Sequence, residues 1–231
     1  PTVNVEKTVL RLLGQASKKN IPQLEELYFS KHIYDLCQRV INSPNGAFFV
    51  TGPTGSGKTT TLFSCLQRIN TPGQNIMTIE DPVEYKLPGT NQVQVNYAID
   101  LNFPIVLKSF LRQDPDVILI GEIRDLETAR IATQAALTGH IVLASLHTND
   151  AIQAVTRLVD IGVEPFLVGP SLLGIIAQRL VRKLCEKCKQ EYTLSAEEMD
   201  ELFEWEGLFP LKVYKPKGCQ DCNQTGYNGR I

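Results

Sequence analysis

The most reactive stretch of the chain is Gly52-Pro53-Thr54-Gly55-Ser56-Gly57-Lys58-Thr59, a complete phosphate-binding loop. Glycines at 52, 55 and 57 let the backbone fold tightly and turn its N–H groups inward. Those donors and the start of a following helix hold an anionic phosphate. Lys58 can reach the β- and γ-phosphates of ATP as a point charge, and Thr59 offers a hydroxyl to Mg2+. Pro53, Thr54, Ser56 and Thr60 complete the nucleotide cradle. The flanks agree. Ala47, Phe48, Phe49 and Val50 form a short buried-strand signal before the loop, and Leu62, Phe63, Leu66 and Ile69 fall on one helical face after it.

Phosphoryl transfer from ATP to water needs more than a loop. It needs a second metal anchor, a group to orient the water, and positive charge for the transition state. The apolar run 117–120 ends in Gly121-Glu122. A carboxylate at the carboxyl end of a parallel strand faces the ligand crevice, which makes Glu122 the candidate for the Mg2+ shell. It resembles a Walker B element in which Gly121 stands where an Asp is usual. A second acidic element, Thr78-Ile-Glu80-Asp81-Pro-Val-Glu84, also follows an apolar strand. Glu80 is the first candidate for activating water, and Glu84 is the fallback. Asp81 reads equally well as a turn residue before Pro82. In the third element His140 enters a strand and His147 leaves it. His140 reads as a satisfied core histidine. His147, among Ser145, Thr148, Asn149 and Asp150, reads as a sensor of the γ-phosphate.

Six cysteines are present, four of them in two C-x-x-C pairs, Cys185/Cys188 and Cys219/Cys222. Two such knuckles in a nucleotide-binding chain predict a tetrahedral Zn2+ site. Two disulfides or four idle thiols are the alternatives, and a reducing cytosol argues against the first. Four thiolates close the shell, so the metal should be structural. Leu202, Phe203, Trp205, Leu208 and Phe209 lie between the pairs and are expected to pack as a small lobe tied down by the metal. Cys37 and Cys65 fall in helical patterns and read as small buried apolar residues.

The elements that position these residues follow from periodicity. Strands are expected over 47–50, 75–80, 117–120 and 141–146, with a shorter one over 93–98. Helices are expected over 104–112, 126–137 and 151–159, and two short amphipathic segments cover 24–41. Apolar strands alternating with helices argue an α/β fold with a parallel sheet covered on both faces. The chain has 231 residues, 43% hydrophobic and 21% charged, with a net charge of -2. That balance suits a globular protein and gives no general electrostatic reason to bind nucleic acid. No apolar run approaches the length of a membrane span, and no signal-peptide pattern opens the chain. Pro1 in place of an initiator Met reads as a fragment of a longer protein.

These four segments together resemble the Walker A, Asp box, Walker B and His box of the type II/IV secretion-superfamily ATPases. The stretch Arg112–Ala129, R-Q-D-P-D-V-I-L-I-G-E-I-R-D-L-E-T-A, is highly specific for that family. The tetracysteine module is similar to that of its secretion and pilus-assembly branch (GspE and PilB types). The resemblance implies a RecA-like P-loop NTPase core with a small zinc module. It implies a homo-hexameric cytoplasmic motor, peripheral at the inner membrane, that couples ATP hydrolysis to an inner-membrane platform protein. It also implies that arginines from an upstream domain complete the nucleotide site. Arg11 falls in the matching segment, with Lys7 where a further arginine is expected. The corresponding boundaries are 1–19 for the end of an upstream domain and its linker, 20–184 for the ATPase domain and 185–231 for the cysteine module.

Two other classes compete. RecA-like hexamers include nucleic-acid motors, but no basic stripe or aromatic stacking platform is visible here. A non-hydrolysing scaffold would not need both acidic elements.

Overall fold

The structure, a computed structural model, describes residues 21–195, 197–198 and 212–231. Lys7, Arg11 and the apolar group from Leu202 to Phe209 lie outside the described residues. The chain divides after Arg179 into two compact units.

The first unit is built on a sheet of six parallel strands. They are β1 (Gly46–Thr51), β2 (Ile76–Glu80), β3 (Asn91–Gln94), β4 (Val117–Ile120), β5 (Ile141–Leu146) and β6 (Leu172–Ala177), in the order β3-β2-β4-β5-β1-β6. Strands β1, β2, β4 and β5 are buried along their whole length. They carry apolar residues on both faces because helices cover both. The helices are α1 (Lys31–Ile41), α2 (Lys58–Ile69), α3 (Phe103–Phe110), α4 (Leu126–Leu137), α5 (Ala151–Asp160) and α6 (Pro165–Ser171).

Strand periodicity of two sorts the core cleanly. Ala47, Phe49, Ile79, Ile118, Ile120, Val142 and Ala144 pack on one side with Phe103, Leu107, Ala132 and Leu158 of α3, α4 and α5. Phe48, Val50, Ile76, Val117, Leu119, Ile141 and Leu143 pack on the other with Cys37 and Val40 of α1 and Leu62, Phe63 and Leu66 of α2. The same parity carries past the apolar residues. Thr78 and Glu80 follow Ile76, Gly121 follows Leu119, and Ser145 and His147 follow Leu143. The candidate groups thus emerge on the α2 side, the side that bears the phosphate loop.

Two expectations are corrected. Strand β3 covers 91–94 rather than 93–98, and Tyr97–Ile99 is a 3-10 turn capped by Asn96, whose Oδ1 accepts from the Ala98 N–H. After α5 the chain adds α6 and the edge strand β6. In β6, Gly174 lets α1 approach, since a Cβ there would lie 2.9 Å from Leu36 Cδ1. The helix expected over 104–112 ends at Phe110.

The second unit holds two antiparallel pairs. β7 (Arg182–Leu184) pairs with β10 (Tyr227–Arg230), and β8 (Gln190–Thr193) with β9 (Lys212–Lys215). Among the described residues no helix is long and apolar enough to cross a membrane.

Candidate functional site

The loop between β1 and α2 has the backbone its glycines permit. Gly52, Gly55 and Gly57 have φ of 146°, 79° and 88°, values that side chains rarely tolerate. Gly57 is the N-cap of α2 and offers no side-chain acceptor to the helix. The first N–H groups of α2 therefore have no partner within the helix. Ser56 Oγ is buried without a hydrogen-bond partner. Lys58 is buried, and its Nζ donates to the carbonyls of Gly52 at 2.9 Å and Pro53 at 3.1 Å. Burial lowers the Lys58 pKa, while the carboxylates of Glu122 and Glu84 oppose that shift. Thr60 Oγ1 lies 3.2 Å from Tyr85 Oη.

A cavity of about 260 Å³ opens here. Thr54, Gly55, Lys58 and Thr59 border it on the loop side, and Glu80, Asp81, Glu84, Glu122, Arg124 and His147 border it from the strand ends. The two candidate acids differ in setting. Glu80 is buried, and its Oε1 accepts from Thr78 Oγ1 at 2.8 Å and Gln92 Nε2 at 3.2 Å. Burial pushes its carboxyl above the ordinary range, more than the donors from Thr78 and Gln92 pull it down. Glu122 faces two cationic or imidazole partners. Its Oε1 lies 2.5 Å from Arg124 Nη2 and its Oε2 lies 3.2 Å from His147 Nε2. A carboxylate only accepts, so His147 carries its proton on Nε2 in this contact.

Further contacts hold the strand ends in register. Ser145 Oγ donates to Gly121 O at 2.5 Å. Thr51 Oγ1 accepts from the Thr148 N–H at 2.9 Å. Asp125 and Asp150 cap α4 and α5 through the Thr128 and Gln153 N–H groups. His140 is satisfied locally: its Nδ1 donates to Ala135 O at 3.0 Å. Gln92, Arg124 and Thr51 are site neighbours that sequence reasoning missed. Only Arg124, two residues from Glu122, had a local signal.

The four paired cysteines converge in the second unit, with all four Sγ atoms within 4.8 Å of one another. Cys185–Cys219, Cys188–Cys222 and Cys219–Cys222 are separated by 3.9, 3.8 and 3.7 Å. A disulfide needs about 2.05 Å. A tetrahedral metal with bonds of about 2.3 Å sets its sulfurs about 3.8 Å apart, so the cluster could hold such an ion. The N–H groups of Cys219 and Gly226 both point at Cys222 Sγ from 3.2 Å. Burial works against ionising Cys222, but these donors and the neighbouring thiols together bring it down to about 6. Burial pushes Cys188 up to about 11. Cys37 and Cys65, by contrast, are fully buried in the core between α1 and α2.

Comparison with known proteins matches this geometry. The family model described as "Type II/IV secretion system protein" matches residues 1–231. The type IV pilus assembly ATPase PilB of Thermus thermophilus is 54% identical over 100% of this chain and 26% of its own length. The type II secretion system ATPase E of Vibrio cholerae is 50% identical over 100% of this chain and 45% of its own. The chain thus spans less than half the length of these relatives. Among solved structures, the pilus retraction motor PilT with bound ADP superposes with a TM-score of 0.64 at 39% identity, covering 74% of this chain and 51% of that one. The ATPase DotB of Legionella pneumophila gives 0.59 at 31% identity, over 70% and 47%. By sequence along its whole length and by the architecture of its sheet, the chain belongs to the type II/IV secretion system protein family.

Proposed function

We propose that this chain is the ATP-hydrolysing core of a motor for type II protein secretion or type IV pilus assembly. The observation that carries the proposal is one cavity where the phosphate loop, its lysine and two strand-end carboxylates converge. The names of the relatives support the assignment: ATPases of secretion and pilus assembly.

In the proposed mechanism the N–H groups of residues 54–59, at the loop and the start of α2, bind the phosphates of ATP. A bound phosphate offers Lys58 Nζ a charged acceptor in place of the Gly52 and Pro53 carbonyls. Thr59 and Glu122 would hold Mg2+, which would supply charge neutralisation at the phosphates. Glu80 takes the proton of the attacking water, a role suited to a carboxyl whose proton affinity burial has raised. Glu84, which also borders the cavity, is the alternative base. His147, held at Glu122, senses the terminal phosphate and relays its loss to the loop that begins α5. The four cysteines would hold one Zn2+ whose closed shell leaves no position for substrate.

The wider assembly belongs to the same proposal. Six copies form a ring, Arg11 and an upstream domain complete each nucleotide site, and the ring works on an inner-membrane platform protein from the cytoplasmic side. On this view residues 1–19 end the upstream domain, 20–184 form the ATPase domain and 185–231 the zinc module. Steady-state phosphate release by the full-length protein tests the proposal. Activity that requires Lys58 and is indifferent to single-stranded DNA is expected. Stimulation by single-stranded DNA would move the assignment to a nucleic-acid motor, and no turnover at all would leave a scaffold.

A further inference from the structure

We infer that Gln178, the first residue beyond β6, is a positioning residue for the phosphate loop. The inference rests on the assignment of residues 52–59 as a nucleotide cradle. Gln178 grips that loop at both ends. Its N–H donates to Thr51 O at 2.8 Å, where β1 ends and the loop departs. Its side-chain Oε1 accepts from Thr61 Oγ1 at 2.7 Å, one turn into α2 where the loop has finished. Its own carbonyl presses on the loop between them: a Cβ on Gly52 would lie 2.4 Å from Gln178 O. One residue therefore sets the span and the approach of the cradle.

The Thr61 contact is not the default for a helical hydroxyl. Such groups usually bond the carbonyl four residues back. Thr133 does so to Ala129 O, Thr138 to Gln134 O and Ser64 to Thr60 O. For Thr61 that carbonyl is Gly57 O, at the end of the loop. Thr61, fully buried, reaches across to Gln178 instead. The next residue extends the brace. Arg179 Nη2 donates to Asn149 O at 2.6 Å, in the loop that follows His147. Consecutive residues at the end of the edge strand thus hold the two loops that face the cavity.

A mutant cycle in the full-length protein tests this. Gln178→Met keeps the side-chain length and loses the acceptor; Thr61→Val keeps the shape and loses the donor. Thr61→Ser keeps the hydroxyl. Affinity for Mg-ATP, turnover at saturation and the melting temperature without nucleotide are measured for each. Each of the first two should weaken Mg-ATP binding roughly tenfold, about the net worth of one well-placed hydrogen bond. The double variant should be no worse than the weaker single one, because both remove the same bond. Thr61→Ser should bind within about twofold of the parent, its donor being intact. Variants that melt earlier yet bind and turn over like the parent would overturn the inference, since that is what a merely structural bond does. Additive losses in the double variant would overturn it too. A parent that fails to bind Mg-ATP would bring down the cradle assignment itself.

Discussion

Glu80→Gln separates the catalytic from the structural meaning of a buried acid. Glutamine can accept the same two hydrogen bonds from Thr78 and Gln92, so neither donor is orphaned. Its amide N–H2 has the solvent-accessible cavity that Glu80 borders. Burial raises the Glu80 carboxyl above its ordinary 4.5, which means the folded state holds the proton more tightly than the unfolded one. Stability from this group is then fully present below that ordinary value and is lost as pH rises through the raised one. The variant carries no charge to bury and should escape the loss. At pH 8 its stability should match or exceed the parent's to within about 1 kcal/mol, or about 3 °C in melting temperature. At pH 4 the advantage should vanish. Turnover should behave quite differently. A group that takes the proton from water contributes roughly 10²- to 10⁴-fold, about 3–5 kcal/mol of barrier. Phosphate release by the full-length protein at saturating Mg-ATP should fall by that factor, with nucleotide affinity retained. Turnover within tenfold of the parent would refute the proton-accepting role and pass it to Glu84. A variant that melts several degrees lower at pH 8 would refute the argument from burial.

Three further outcomes follow from the same geometry. Glu122→Gln should weaken Mg2+-dependent nucleotide binding by roughly tenfold or more while leaving Mg2+-free binding alone, because it removes a charged ligand; isothermal titration with and without Mg2+ decides, and equal Mg-ATP affinity in the Glu80 and Glu122 variants would undo the division of labour. Lys58→Ala should cut turnover by at least about 10²-fold and weaken ATP binding, as expected for the single ammonium aimed at developing charge; turnover within a few-fold of the parent would sink it. The purified protein should carry one zinc per chain with four sulfur ligands by X-ray absorption. Chelation should loosen the second unit, read by amide exchange, before ATP affinity changes. Fewer than four sulfurs, or ATP binding lost in step with zinc, would exclude a purely structural metal.

What could be read from the chain follows the physics of each element. Strands β1, β2, β4 and β5 are short apolar runs bounded by turns, so composition alone places them. Parity then puts Glu80, Gly121, Ser145 and His147 on the side of α2, while Glu122, one residue past Gly121, is marked only by its place after an apolar run. Pro165–Ala177 resisted because two prolines, two glycines and an apolar run fit neither period of two nor 3.6. Only pairing with β1 decides that its second half is a strand. Strand β3 is polar, takes its order from β2 and presents no buried stripe. The contacts that finish the site were invisible for another reason. Thr51 meets Thr148 and Thr61 meets Gln178 across about a hundred residues of chain, and no local pattern encodes such a meeting.

Gly121 shows how packing can favour a departure from a motif. Its N–H donates to Ile79 O at 2.8 Å, extending the β2–β4 ladder one residue past the strand. A Cβ at 121 would lie 3.2 Å from Glu80 Cα and 3.3 Å from Ile79 O, close enough that β2 must give way. The displacement would fall on the residue assigned to activate water. An aspartate there would add a second difficulty, since its carboxylate would emerge beside Glu80 and raise the proton affinity of both through like-charge repulsion. The acid that a Walker B strand usually carries at this position would therefore need β2 to shift by a few tenths of an ångström at Glu80. On the proposed assignment its task is shared across the two strands. Glu122 reaches the metal from beyond the end of β4, and Glu80 reaches the water from β2. Glycine at 121 lets β4 lie against Glu80 without that shift, with both carboxylates bordering one cavity.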